Sequence, residues 1–84
     1  LVESPDGRCV IIVEVKSGHG GARVLAERFS SAQARRLEQV ADRLHRMPLV
    51  GGRPMRIDLV LVMFDRSRRD RVRHLAGASA VNAI

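Results

Sequence analysis

Apolar and polar positions alternate along this chain in short, clearly bounded blocks. Residues 1–3 (Leu-Val-Glu) read as the tail of a strand entering a turn. That turn, Ser4-Pro5-Asp6-Gly7, has Pro to preset φ at its second position and Gly to take a left-handed conformation at its end. Residues 9–16 are apolar on both faces until Glu14, the pattern of a strand inside a sheet rather than at its edge. Residues 17–21 form a glycine-rich loop, and residues 22–28 an irregular connection or a short helical turn. Ser30 then opens the clearest helix, with Gln33 completing a capping box. Ala34, Leu37, Val40, Ala41, Leu44 and Met47 form its apolar stripe, and Pro48 with Gly51-Gly52 ends it. Residues 57–64 are a second buried strand interrupted only by Asp58. Residues 66–70 make a charged turn, residues 72–75 a short edge strand, and residues 76–84 a small-residue tail without a pattern. The order strand, strand, helix, strand, strand predicts an α/β layer architecture. A right-handed crossover through the helix makes the two long strands parallel.

Composition narrows the classes. With 84 residues, 45% of them apolar, there is one small domain, 1–84, and one core. Cys9 has no internal disulfide partner, and His19, His45 and His74 lack the short spacings of a structural zinc site. The longest apolar runs are far shorter than a membrane span and no secretory leader opens the sequence, so a soluble cytoplasmic protein with no membrane partner is expected. Because Leu1 begins inside a strand, the domain is expected to be N-terminally incomplete. The net charge of +6 is the balance of a chain that meets phosphate backbones. Only Phe29 and Phe64 are aromatic, which argues against a surface that grips single strands by stacking successive bases. Of the fifteen basic residues one alone, Lys16, is a lysine, and Arg and Lys differ in chemistry as well as in codon usage.

Strand alternation puts Val10, Ile12, Glu14 and Lys16 on one face, with the two charged residues side by side at the strand end. An isolated E-x-K is usually a solvated strand end. Here the flanking strand is apolar, the lysine is unique and a flexible loop follows. Phosphodiester hydrolysis would use such a pair: the carboxylate is a hard ligand for Mg²⁺, and the ammonium can orient water or neutralise developing charge. A second carboxylate is wanted. If Ser4 pairs with Arg8, then Val2 pairs with Val10 and the position ahead of Leu1 opposes Ile12, on Glu14's face. An acidic residue there would complete a metal site.

The segment Val13-Glu14-Val15-Lys16-Ser17 resembles the E-x-K motif of the PD-(D/E)-x-K nuclease superfamily, and more narrowly that of the bacterial YraN-like endonuclease family, itself similar to Holliday-junction resolvases. In that family a G-E-I-D segment leads into the strand represented here by Leu1-Val2. Residues 29–37 are similar to its hydrophobic-Thr-Pro-x-Lys-x-Arg-Arg-Leu helix start, Arg56-Ile57-Asp58-Leu59-Val60 to its Arg-Phe-Asp-Val-Val strand, and His74-Leu75-Ala76-Gly77-Ala78 to its closing His-Ile-x-x-Ala. Gln33, Ile57 and Ser79 depart from the family's lysine, phenylalanine and closing aromatic. The resemblance implies a restriction-endonuclease-like mixed sheet with flanking helices, its first helix and part of its first strand absent. It also implies hydrolysis of DNA with Mg²⁺, or Mn²⁺ in its place. Glu14 and the Val15 carbonyl would bind the metal, Lys16 would assist the water or the transition state, and Gln33 would be the helix residue of the site. Resolvase-like relatives add a homodimer by analogy.

Other residues keep two readings. Gln33 reaches the site or bonds the helix's own first amide. His19, in the loop beside Lys16, touches a phosphate or is simply solvated. Arg35 and Arg36, with Arg43 and Arg46, line a DNA groove or form ordinary solvent surface. Arg66, Arg68, Arg69, Arg71 and Arg73 are the densest basic cluster and equally suit an acidic protein surface. Asp58 is read as a structural partner of Arg56, 15–20 Å from Lys16 at about 3.3 Å per residue, and His74 as a packing or hydrogen-bonding group. Two further functions stand beside the nuclease: a non-catalytic nucleic-acid-binding module on a nuclease fold, and a protein-assembly subunit.

Overall fold

The computed structural model describes residues 1–67 and 69–77. It is an α/β arrangement of β1 (Val2–Glu3), β2 (Val10–His19), α1 (Ala22–Glu27), α2 (Ser31–His45), β3 (Met55–Phe64) and β4 (Arg71–Leu75). The four strands lie in the order β1-β2-β3-β4; β2 and β3 are parallel, as the crossover requires, and both edge strands are antiparallel to their neighbours.

The turn that opens the sheet is held by its own polar side chains. The Gly7 amide donates to the Ser4 carbonyl at 2.8 Å, with Gly7 at φ 71°, and the Asp6 carboxylate accepts from the Ser4 hydroxyl at 2.7 Å and the Arg8 amide at 3.0 Å. Ser4 and Cys9 then close the loop, amide to carbonyl at 2.9 Å and amide to hydroxyl at 3.0 Å. Arg8 therefore belongs to the loop instead of pairing with Ser4, and the hairpin register is one residue away from the expected one: Val2 faces Ile11 and Glu3 faces Val10. A slip of one changes which face every partner occupies. Continued by the same count, the position ahead of Leu1 faces Val13, on the sheet face away from Glu14.

Strand β2 is longer than its apolar run. Ser17, Gly18 and His19, expected to be loop, pair with Val62, Met63 and Phe64 of β3. Gly18 permits this: a Cβ there would lie 2.8 Å from Nη1 of Arg28 and 3.2 Å from Cδ2 of Leu25, which is fully buried, so the missing side chain lets α1 close over the strand. Glu14 and Lys16 thus sit within the strand and not at its end.

Both helices cover one face. Ile12 of β2 and Ile57, Leu59 and Leu61 of β3 point toward Leu25 of α1, Phe29 between the helices and Ala34 of α2, forming the buried core. Val13 and Val15 point the other way and are exposed, so residues 9–16 are not buried on both faces as the pattern suggested. Helix α2 begins as its sequence predicts. The Ser30 hydroxyl accepts from the Gln33 backbone amide at 3.1 Å while the Gln33 side-chain Oε1 accepts from the Ser30 backbone amide at 3.2 Å. Such a cap contributes about 1 kcal/mol. The helix ends at His45, leaving Met47 exposed beyond it instead of in the stripe.

Two long-range ties were not visible in the sequence. Arg53 donates to the carbonyls of Val50, Leu49 and Gly7 and pairs with Glu3 at 3.1 Å, joining the loop after α2 to the first hairpin. Asp58, 1% exposed, accepts from Arg56 through both oxygens (2.9 and 3.1 Å), from the Gly77 amide at 2.9 Å, and bonds His74 Nε2 at 2.7 Å. Expectations placed on Arg68, Ala78 and Ser79 lie outside the described residues.

Candidate functional site

Alternation along β2 carries Glu14 and Lys16 onto the helix-covered face, level with Leu59 and Leu61 of β3. The Lys16 ammonium stands 3.4 Å from a Glu14 carboxylate oxygen, and the side chains keep 19% and 33% of their exposure, so water and a small ion can reach both. Strand β1 pairs with β2 at Val2–Ile11 and Glu3–Val10, on the side of β2 away from β3.

The backbone of β2 adds a third group. The Cys9 carbonyl accepts from Ser4 on the β1 side, whereas the Val10 amide donates to Pro54 on the β3 side. Backbone groups of successive strand residues point to alternate sides. Odd positions of β2 therefore turn toward the β1 side, and the Val15 carbonyl points away from β3, next to the Glu14–Lys16 pair.

Among the described residues, no group of three or more His, Cys, Asp or Glu side chains converges on a point. Glu3, the other acidic residue on this face of the hairpin, is held by Arg53. The donor set for a hard cation is thus one carboxylate and one carbonyl oxygen. That matches the sparse protein ligation of Mg²⁺, which keeps several waters and takes further oxygens from a phosphate substrate.

The remaining candidates are dispersed. Gln33 is exposed and engaged in the α2 cap. Arg35 and Arg36 follow the buried Ala34 in the first turns of α2 and are exposed. His19 does not join Lys16: as the last residue of β2 it lies on the opposite face, its ring 6.0 Å from that of Phe64. Asp58 is nearer than expected yet still separate. It stands opposite Val13, which puts its Cα about 11 Å from that of Lys16 from strand rise and spacing, and its side chain is on the other face. Burial pushes the Asp58 carboxyl up, but the hydrogen bonds from Arg56, Gly77 and His74 outweigh it and hold the group below the ordinary carboxylate range. Asp58 and His74 form a clip between β3, β4 and the turn after β4; only the Arg56 contact was legible, since it is local.

No family model, curated protein or solved structure matches the chain. No helix among the described residues is long and apolar enough to cross a membrane.

Proposed function

We propose that this chain is a YraN-like domain of the PD-(D/E)-x-K superfamily, with a restriction-endonuclease-like fold, that hydrolyses DNA phosphodiester bonds with Mg²⁺ or Mn²⁺. The observation that carries the reading is the Glu14–Lys16 pair, 3.4 Å apart and partly exposed, following the apolar run Val10–Val13 on a strand paired in parallel with β3. The mixed α/β sheet and the ordered motifs are compatible with it.

Glu14 would hold the metal through its carboxylate and Val15 through its carbonyl. The bound ion supplies Lewis acidity and lowers the pKa of a water ligand. Lys16, ion-paired to Glu14, keeps a compact positive charge beside the water and the phosphate, where it neutralises charge developing in the transition state. The ion pair also fixes the ammonium in place before substrate arrives. Gln33, as it stands, secures the helix start. A cytoplasmic location and a homodimer belong to the same reading.

Incubating the intact protein with linear, nicked and branched DNA and Mg²⁺ tests it. Cleavage lost in Glu14→Gln and Lys16→Ala is the expected result; absence of cleavage in the unaltered protein, or equal cleavage by either variant, rejects it. The second reading is a non-catalytic nucleic-acid-binding module, to which the net charge of +6 equally belongs. It predicts binding that is indifferent to Glu14 and to metal.

A further inference from the structure

The densest run of arginines acquires an order in the fold that its sequence does not show. Between positions 65 and 73 there are five arginines against two aspartates. Among the described residues strand β4 is a sheet edge, and alternation puts Arg71 and Arg73 on its helix-side face, level with Met63 and Leu61 of β3. Both are exposed, as is Arg69 in the preceding turn. Among the described residues none of the three has a carboxylate within ion-pair distance. The acidic residues of the turn mainly hold the turn, although Arg71, beyond ion-pair distance, adds its charge to the Ser67 hydrogen bonds that keep the Asp65 carboxyl below the ordinary range. Asp65 accepts from the Ser67 hydroxyl at 2.7 Å and from its amide at 3.2 Å, and Asp70 accepts from the Asp65 amide at 3.2 Å.

Register puts Arg73 on the same sheet face as Lys16, two strands or about 10 Å away, and packing separates them. Lys16, Leu61 and Arg73 lie in one line across the sheet, and Leu61 is fully buried in the core with Leu25. The helical layer therefore stands between the two cationic groups. Next to Arg71 the surface is concave: Arg69, Arg71, Gly20 and Gly21 border a cleft of about 320 Å³, with Phe64 and Asp65 on its wall. The two glycines leave one side of it without side chains.

Same-face neighbours on a strand are about 6.8 Å apart. That is close to the separation of consecutive phosphates along one nucleic-acid strand. Guanidinium groups match phosphate in shape and hydrogen bonding, and unpaired ones surrender no protein ion pair on binding. We propose that Arg69, Arg71 and Arg73 form a binding track for the phosphate backbone of DNA along the β4 edge, a surface distinct from the Glu14–Lys16 site and independent of whether that site cleaves.

The test is fluorescence anisotropy of labelled duplex and single-stranded DNA over a salt series, with the intact protein. Replacing all three arginines by alanine is expected to weaken duplex binding at least tenfold. It should also flatten the dependence of log Kobs on log salt by about 2 to 3 units, near 0.9 for each phosphate that is no longer neutralised. The same positions changed to lysine keep the charge and should keep the slope. Arg23→Ala, which removes an exposed arginine paired with Glu27, should bind as the unaltered protein does. Wild-type affinity and slope in the alanine variant overturn the proposal. So does an equal flattening of the salt slope in the lysine variant, which keeps the charge and would make the effect one of folding. Tighter binding of polyglutamate than of DNA also overturns it, by making the edge a dock for acidic protein. Because cleavage is not the readout, an inactive Glu14–Lys16 site leaves each of these outcomes intact.

Discussion

Glu14 and Asp58 are diagonal neighbours on parallel strands, Asp58 standing opposite Val13, yet they project from opposite faces of the sheet. Two carboxylates so placed cannot share one ion. Their surroundings differ as well: Glu14 is partly exposed beside a lysine, while Asp58 is enclosed by Arg56, His74 and the Gly77 amide.

Asp58 should therefore govern stability. Its carboxyl lies below the ordinary value in the folded chain, so the stabilisation it contributes is present above about pH 4 and is lost as pH falls through the folded pKa. Asp58→Asn is expected to cost about 2 kcal/mol at pH 7 and to remove that part of the acid dependence. Urea unfolding followed between pH 7 and pH 3 measures both, and an unchanged acid limb in the variant contradicts the assignment.

Glu14 should behave in the opposite way. Glu14→Gln keeps the shape of the side chain and removes a partly exposed charge, so its unfolding midpoint should shift by less than about 1 kcal/mol in ΔG. The same change is expected to abolish cleavage. A variant that unfolds early and cleaves normally would make the pair structural.

Ser30 and Gln33 cap α2 reciprocally. Ser30→Ala and Gln33→Ala should each cost about 0.5 to 2 kcal/mol in thermal or urea unfolding, with cleavage of DNA unaffected in either. Loss of cleavage confined to Gln33→Ala would mean that this side chain leaves its cap to act at the site.

Gly18 is the point at which α1 closes on β2. Gly18→Val should force apart the packing against Leu25 and lower stability by about 1 to 3 kcal/mol, the usual cost of overpacking. A variant as stable as the parent would show that Leu25 and the Arg28 side chain yield freely.

Periodicity made the long strands and α2 legible, because their apolar positions repeat at the spacing of the element that buries them. The α2 start was legible down to its hydrogen bonds, since Ser30 and Gln33 are near neighbours in sequence. The hairpin register was not, because it turns on whether Arg8 pairs or loops, and the Asp6 side chain decides that. The extension of β2 through Gly18 was hidden by a residue that usually breaks strands and is needed here for the approach of α1. His74 and Gly77 reach Asp58, and Arg53 reaches Gly7, across long stretches of chain, and no local pattern encodes such ties. At the candidate site, alternation correctly paired Glu14 with Lys16. The same alternation, continued through the longer β2, moved His19 to the other face.

Lys16→Arg distinguishes the proposed chemistry from a merely basic surface. Arginine retains the positive charge but spreads it over a planar fork, whereas the ammonium is a compact charge with rotatable donors. Cleavage of branched and linear DNA by the intact protein with Mg²⁺ is to be measured for the unaltered protein and for Lys16→Arg, alongside DNA binding. The nuclease reading predicts cleavage by the unaltered protein, a loss of at least about 100-fold in the variant (near 2.7 kcal/mol in activation free energy) and unchanged binding. Equal cleavage by both, or none by the unaltered protein, would contradict it.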